Sequence, residues 1–115
     1  MSISKQTGYF QLEDQTQWED AAPGIQRQIF GYNNSLMLVK VKFEKGAVGT
    51  PHQHPHTQAS YVESGVFELI IGNEKKILKK GDGYFVPSNI LHSCTCLEAG
   101  MLIDVFHPLR EDFLK

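Results

Sequence analysis

The chain has 115 residues, of which 41% are hydrophobic and 21% charged, and its formal net charge is −2 at pH 7. That supplies one core of ordinary domain size without disulfide staples. It excludes a basic footprint for nucleic acid, and no apolar run approaches the roughly 18–20 residues of a membrane span.

In chain order, the opening "MSISKQTGYF" has no apolar signal core, so the expected compartment is the cytoplasm rather than an exported one. Residues 1–24 are mostly polar and read as an N-terminal arm with the first strands. In "SLMLVKVKFEKG", Met37, Val39, Val41 and Phe43 share one face and Lys40 and Lys42 the other, which predicts a half-buried strand ended by Gly46. "VFELIIGNEKKILKKGDG" reads as a hairpin turning at Gly72-Asn73. "YFVP" is a short strand stopped by Pro87. "HSCTCL" and "MLIDVF" are two further strands separated by "EAG". Only "PLREDFLK" looks helical, with Pro108 in its first turn. Many short strands without a long helical period predict an all-β domain, a small antiparallel sandwich or barrel, and nothing suggests a second domain. Cys94 and Cys96 are two apart, so on a strand they point the same way and cannot easily bond to each other; they are expected as free, inward-facing thiols.

Three of the five histidines lie within "HQHPH". His52 and His54 are an i, i+2 pair, which an extended backbone aims to one side. His92 stands at the start of an apolar strand and is a further candidate from a distant position. Three imidazoles plus one oxygen suit a first-row divalent ion with open positions. An exposed histidine-rich loop is the competing reading of the pair alone. Gln58 has the parity of the pair but lies beyond Pro55, so parity does not place it. His56 and His107 are expected to stay outside any ligand set.

The spacing around the histidines is wider than a pair. Gly46, five residues, His52-Gln-His54, three residues, Gln58, six residues and Gly65 resemble the first motif of the cupin superfamily, with Gln58 in place of its glutamate. Gly81, five residues, Pro87 and then His92 resemble the second motif. Asn89 stands where that motif has a glycine and Cys96 where it has an asparagine. The resemblance covers about residues 36–106. It implies a conical, jelly-roll-like β-barrel enclosing one divalent transition metal (Ni, Zn, Fe, Mn or Co) held by His52, His54, Gln58 and His92. With glutamine at 58 the protein ligands can all be neutral. A bound ion then keeps its dipositive charge, which disfavours metal oxidation and favours a Lewis acid that attracts an anionic substrate.

The last strand adds a second anomaly. Leu102, Asp104 and Phe106 share one face of "MLIDVF", so a carboxylate sits amid apolar neighbours and is expected to be exposed, paired or working in a cavity. Arg110 follows near the strand exit and has the geometry to clamp a carboxylate, or to pair at the surface with Glu111 or Asp112. Together, "HQHPHTQ", "VPSNILH" and "DVFHPLREDF" resemble the small bacterial pectin-degradation cupins, which open the ring of 4,5-unsaturated monouronates to linear 5-keto-4-deoxyuronate. That resemblance implies Asp104 as a catalytic residue kept ionised by the nearby metal, Phe106 as a pocket wall and Arg110 as a substrate-binding residue. It also implies a small anionic sugar as partner, with no nucleic acid or membrane. A homodimer is expected as well, because the arm around Tyr9 to Trp18 has too few apolar residues for a core of its own. The competing functions are a metal-dependent dioxygenase and a non-catalytic sugar-binding cupin, since the fold hosts many activities.

Overall fold

Alternating apolar residues build the strands. The structure, a computed structural model, describes residues 5–114. The strands are β1 (Glu19–Ala22), β2 (Ile25–Tyr32), β3 (Met37–Phe43), β4 (Val48–His52), β5 (Thr57–Ile71), β6 (Glu74–Lys79), β7 (Gly83–Val86) and β8 (His92–His107). Every pairing among them is antiparallel. None of the helical turns in the described residues is long and apolar enough to cross a membrane.

Two long strands organise the rest. β5 and β8 pair from Thr57↔His107 to Ile71↔His92, and their register shifts between Val62 and Phe67. On one side of that shift the order is β1-β2-β3-β8-β5-β7; on the other it is β4-β8-β5-β6. The two long strands therefore pass from one sheet layer to the other, and the layers enclose the interior. The crossing needs Gly65 and Gly100. A Cβ on Gly100 would stand 2.1 Å from the Ser64 carbonyl oxygen and 2.5 Å from Gly65 Cα. Gly65 itself has φ +84°, the left-handed region that favours glycine. The "EAG" expected to separate two strands is thus a bend within the single strand β8, because pairing with β5 continues through it.

Met37, Val39 and Phe43 are buried, Val41 is half-buried against them, and Lys42 is exposed, as the alternation predicts. One apolar cluster, with Ile25, Phe43, Val62, Phe67, Leu69, Cys96 and Leu102, fills the interior beside the bend. A second, with Met37, Val39, Phe106 and Leu109, lies under the chain end. There the expected helix is only a 3₁₀ turn, Glu111–Leu114, and Pro108 precedes it rather than opening it. The arm folds onto its own sheet. Gln28, fully buried in β2, donates from Nε2 to the carbonyls of Glu13 (3.1 Å) and Thr16 (2.8 Å). Tyr9 and Phe10 remain 90% and 88% exposed, so their apolar area is unburied within the chain.

Candidate metal centre and substrate cavity

The topology brings the distant histidines together. β4 pairs with the first half of β8 so that His52 lies opposite His92. His54 lies in the connection to β5 rather than on a strand, and its carbonyl accepts from the Asn89 backbone N–H at 2.8 Å. Asn89 has φ +62°, a left-handed conformation that asparagine tolerates better than most residues. This explains how it replaces the motif glycine. One ring nitrogen from each of His52, His54 and His92 lies within 4.8 Å of the others, so the three could hold a metal ion.

Hydrogen bonds fix which nitrogens those are. The Nδ1–H of His52 donates to Thr50 O at 2.8 Å, that of His54 to His56 O at 3.0 Å, and that of His92 to Ile90 O at 2.8 Å. A carbonyl only accepts, so each Nδ1 carries the proton and each Nε2 presents a lone pair. His92 Nε2 is buried without a partner. His54 Nε2 stands 3.1 Å from Gln58 Oε1, an acceptor facing an acceptor. Each unmet buried acceptor costs about 1–3 kcal/mol, and one cation bound between the imidazoles and the amide oxygen resolves both. The residues present therefore fit a divalent ion held by three imidazoles and an amide oxygen. Burial, then the positive charge of Arg110, pulls His54 down to about 4. Burial also lowers His92, so both rings are unprotonated at neutral pH.

The inward face of β5 continues from Gln58 toward the Asp104 carboxylate. Gln58, Ser60 and Val62 are buried on one face, with Gln58 opposite Phe106 and Ser60 opposite Asp104 on β8. Gln58 Nε2 donates to Ser60 Oγ at 2.9 Å, and the Ser60 hydroxyl donates to Asp104 Oδ1 at 2.6 Å. Burial pushes the Asp104 carboxyl up to about 6, against the opposing pull of the Ser60 hydrogen bond and the Arg110 charge. At neutral pH it is mostly ionised even without a metal, yet close enough to neutrality to exchange protons. Burial, and then Asp104, raise the Tyr84 phenol well above its ordinary range, so it stays protonated.

Asp104 and Arg110 do not merely sit at the surface. With His52, Gln58, His92, Tyr84, Phe106 and Cys94 they line one cavity of about 450 Å³, within the range of small-molecule sites. Arg110 also has the surface pairing: Nε and Nη2 donate to the two Asp112 oxygens at 3.1 and 2.9 Å. Its carboxylate-matching side edge is therefore occupied, leaving the Nη end for a ligand. The guanidinium lies 4.1 Å from the Phe113 ring centre and 4.9 Å from that of Phe106.

The sequence reading missed Arg27 and Ser60. Arg27 lines the same cavity from β2, 3.9 Å from the Phe113 ring centre, with Nε donating to Glu19 at 2.7 Å. Its signal was a cation on the apolar parity of Ile25 and Ile29. Ser60 shared the parity of Gln58. His56 is half-buried, 3.1 Å through Nε2 from Leu109 O, and His107 is exposed with Nδ1 donating to Ser35 O; as expected, neither joins the cluster. Both cysteines are free; Cys94 lines the cavity and burial pushes its thiol up to about 11. A wider concavity of about 650 Å³, near Asp20, Gly24, Lys42 and Gly100, is lined by no histidine or cysteine among the described residues.

Residues 39–106 match the cupin domain family. The chain is a cupin. Among relatives, it is 49% identical over 108 residues to the pectin degradation protein KdgF of Dickeya dadantii (strain 3937), covering 92% of this chain and 97% of that one. An RmlC-like cupin from Shewanella frigidimarina NCIMB 400 superposes with a TM-score of 0.92 at 44% identity, over 94% of this chain and 97% of that one. KdgF from Halomonas sp. superposes with a TM-score of 0.88, also at 44% identity, over 93% of this cupin and 99% of that chain.

Proposed function

We propose that this cupin opens the ring of 4,5-unsaturated monouronates to linear 5-keto-4-deoxyuronate during breakdown of pectin or another polyuronate. The observation that carries the reading is that His52 and His92 of the three-imidazole cluster line one cavity with Gln58, Asp104 and Arg110, while His54 completes the cluster beside it. The similarity to pectin degradation proteins along nearly the whole chain supports the substrate class. His52, His54, Gln58 and His92 would hold one divalent transition ion. Bound there, it supplies Lewis-acid stabilisation of negative charge on the substrate's ring oxygen or carboxylate.

The rest of the work falls to the chain's own residues. The reaction is an isomerisation in which one proton moves from the anomeric hydroxyl to C4. Asp104 accepts the hydroxyl proton as the C1–ring oxygen bond breaks, leaving an aldehyde at C1 and an enolate at C5. It then returns the proton to C4, and the enolate becomes the C5 ketone. Ser60 occupies Asp104 Oδ1, which leaves Oδ2 for this exchange. Arg110 binds the sugar carboxylate through its free Nη end, and Arg27 adds positive charge to the same cavity. Phe106, across from Gln58 in the β5–β8 register, forms the apolar wall.

The partner is thus a small anionic sugar. We propose a homodimer as well, since Tyr9 and Phe10 remain exposed after the arm has docked. Mixing the protein with unsaturated galacturonate tests the function. Loss of the double bond's ultraviolet absorbance should be fast with metal-loaded protein and slow after chelation. Equal rates with loaded, stripped and absent protein would overturn it, and a requirement for oxygen would favour a dioxygenase instead.

A further inference from the structure

We propose that Ser60 is the positioning residue that holds the Gln58 amide with its oxygen, not its nitrogen, toward the imidazole cluster. This rests on Gln58 being a metal ligand. A carboxylate at position 58 would offer oxygen at either end. A glutamine has one end with usable lone pairs and one that only donates, and the two ends are nearly identical in shape. Something must choose between them.

The β5–β8 register makes the choice. Gln58 and Ser60 are two apart on the inward face of β5, and Ser60 lies across from Asp104 on β8. An ionised carboxylate only accepts, so the single Ser60 proton goes to Asp104 Oδ1, at 2.6 Å. Ser60 Oγ then has only lone pairs left for Gln58. The amide end facing it must be the donor, Nε2, at 2.9 Å. Oε1 is thereby turned toward His54 Nε2, 3.1 Å away. Ser60 is only 8% exposed, so bulk water does not readily replace its hydroxyl. Donation runs from Gln58 Nε2 through the Ser60 hydroxyl to Asp104, which leaves Oε1 as the atom a metal would meet.

A double-mutant cycle separates this from a merely structural role. Cobalt(II) is titrated into metal-stripped protein by calorimetry, and the visible spectrum of the complex is recorded. Ser60→Ala should weaken cobalt binding by about 10–100-fold, the usual scale for a residue that orients a ligand, and should alter the spectrum. Ser60→Thr, which keeps the hydroxyl, should restore the affinity. Gln58→Glu should make position 60 nearly irrelevant, so Ser60→Ala in that background should cost less than about 3-fold by the same reasoning. Circular dichroism melting checks that each variant folds. If Gln58→Ala weakens binding but Ser60→Ala does not, the proposal for Ser60 fails while the ligand reading stands. If Gln58→Ala binds cobalt like wild type, the ligand reading fails and takes this proposal with it. An equal loss from Ser60→Ala in the Gln58 and Gln58→Glu backgrounds would also overturn it.

Discussion

The role proposed for Asp104 sets function against stability. Its folded value, about 6, lies above the ordinary 3.8, so the buried carboxyl favours its protonated form. The fold has this contribution in full below about pH 3.8 and loses it as pH rises through about 6. At about 1.4 kcal/mol per pH unit, ionised Asp104 costs the metal-free fold about 3 kcal/mol at pH 7. Metal-free Asp104→Asn should therefore be more stable than metal-free wild type at pH 7, by an amount approaching that figure. The gap should close as pH falls from 6 toward 4. Urea denaturation of both proteins at pH 7 and pH 5 checks this; equal midpoints at pH 7 would show that burial does not strain the carboxyl. Arg110 makes a different prediction. Lysine cannot present the Nη pair while also holding Asp112, so Arg110→Lys should raise KM by about 10-fold or more and change kcat less. Steady-state kinetics separate the two, and an unchanged KM would remove Arg110 from substrate binding. At this scale the histidines and Gln58 were legible because their spacing is a pattern in sequence. Ser60 and Arg27 were not. A polar side chain alternating along a strand reads alike whether it meets solvent or a cavity, and only pairing decides which.

The bend shared by β5 and β8 governs the elements. It lets one strand carry His92 at its start and Asp104 near its end, so that both reach the same cavity. Its glycines are closely packed: a Cβ on Gly100 would meet backbone atoms, which cannot swing aside as a flexible side chain can. Gly100→Ala should destabilise the fold by about 1–3 kcal/mol or more, the scale of overpacking. Gly8→Ala, where a Cβ meets nothing within 4 Å, should be nearly neutral. Chemical denaturation compares them; equal stability would mean the crossing relaxes without strain. The alternation in β3, the Gly72-Asn73 hairpin and the stop at Pro87 were all legible, because each is set by local patterning and turn chemistry. The continuity of β8 was not. A glycine within "EAG" signals a break locally, whereas the pairing with β5 that carries the strand through is long-range. The C-terminal helix shortened to a 3₁₀ turn for a related reason: Leu109 is drawn into the core and Arg110 to the cavity before a helical period can begin.

For the whole molecule, the arm's apolar residues were expected either to bury against a partner or to fold back on their own barrel, and the arm's backbone docks on its own sheet through Gln28. Tyr9 and Phe10 still lack cover, and the proposed homodimer supplies it. Light scattering at micromolar concentration should give twice the chain mass, and Tyr9→Ser with Phe10→Ser should shift it toward the monomer. A wild-type monomer would count against the dimer but leave the cavity chemistry untouched, since all its residues come from one chain. That chemistry is best tested by turnover of unsaturated galacturonate by metal-loaded wild type and Asp104→Asn, side by side, with metal content measured in both. The Asn oxygen can still accept from Ser60, so the variant should keep its metal. Its rate should fall by about 10²- to 10⁴-fold, the usual contribution of a general acid or base. Turnover at the wild-type rate by a metal-loaded Asp104→Asn would contradict the assignment of the proton transfer to this carboxylate.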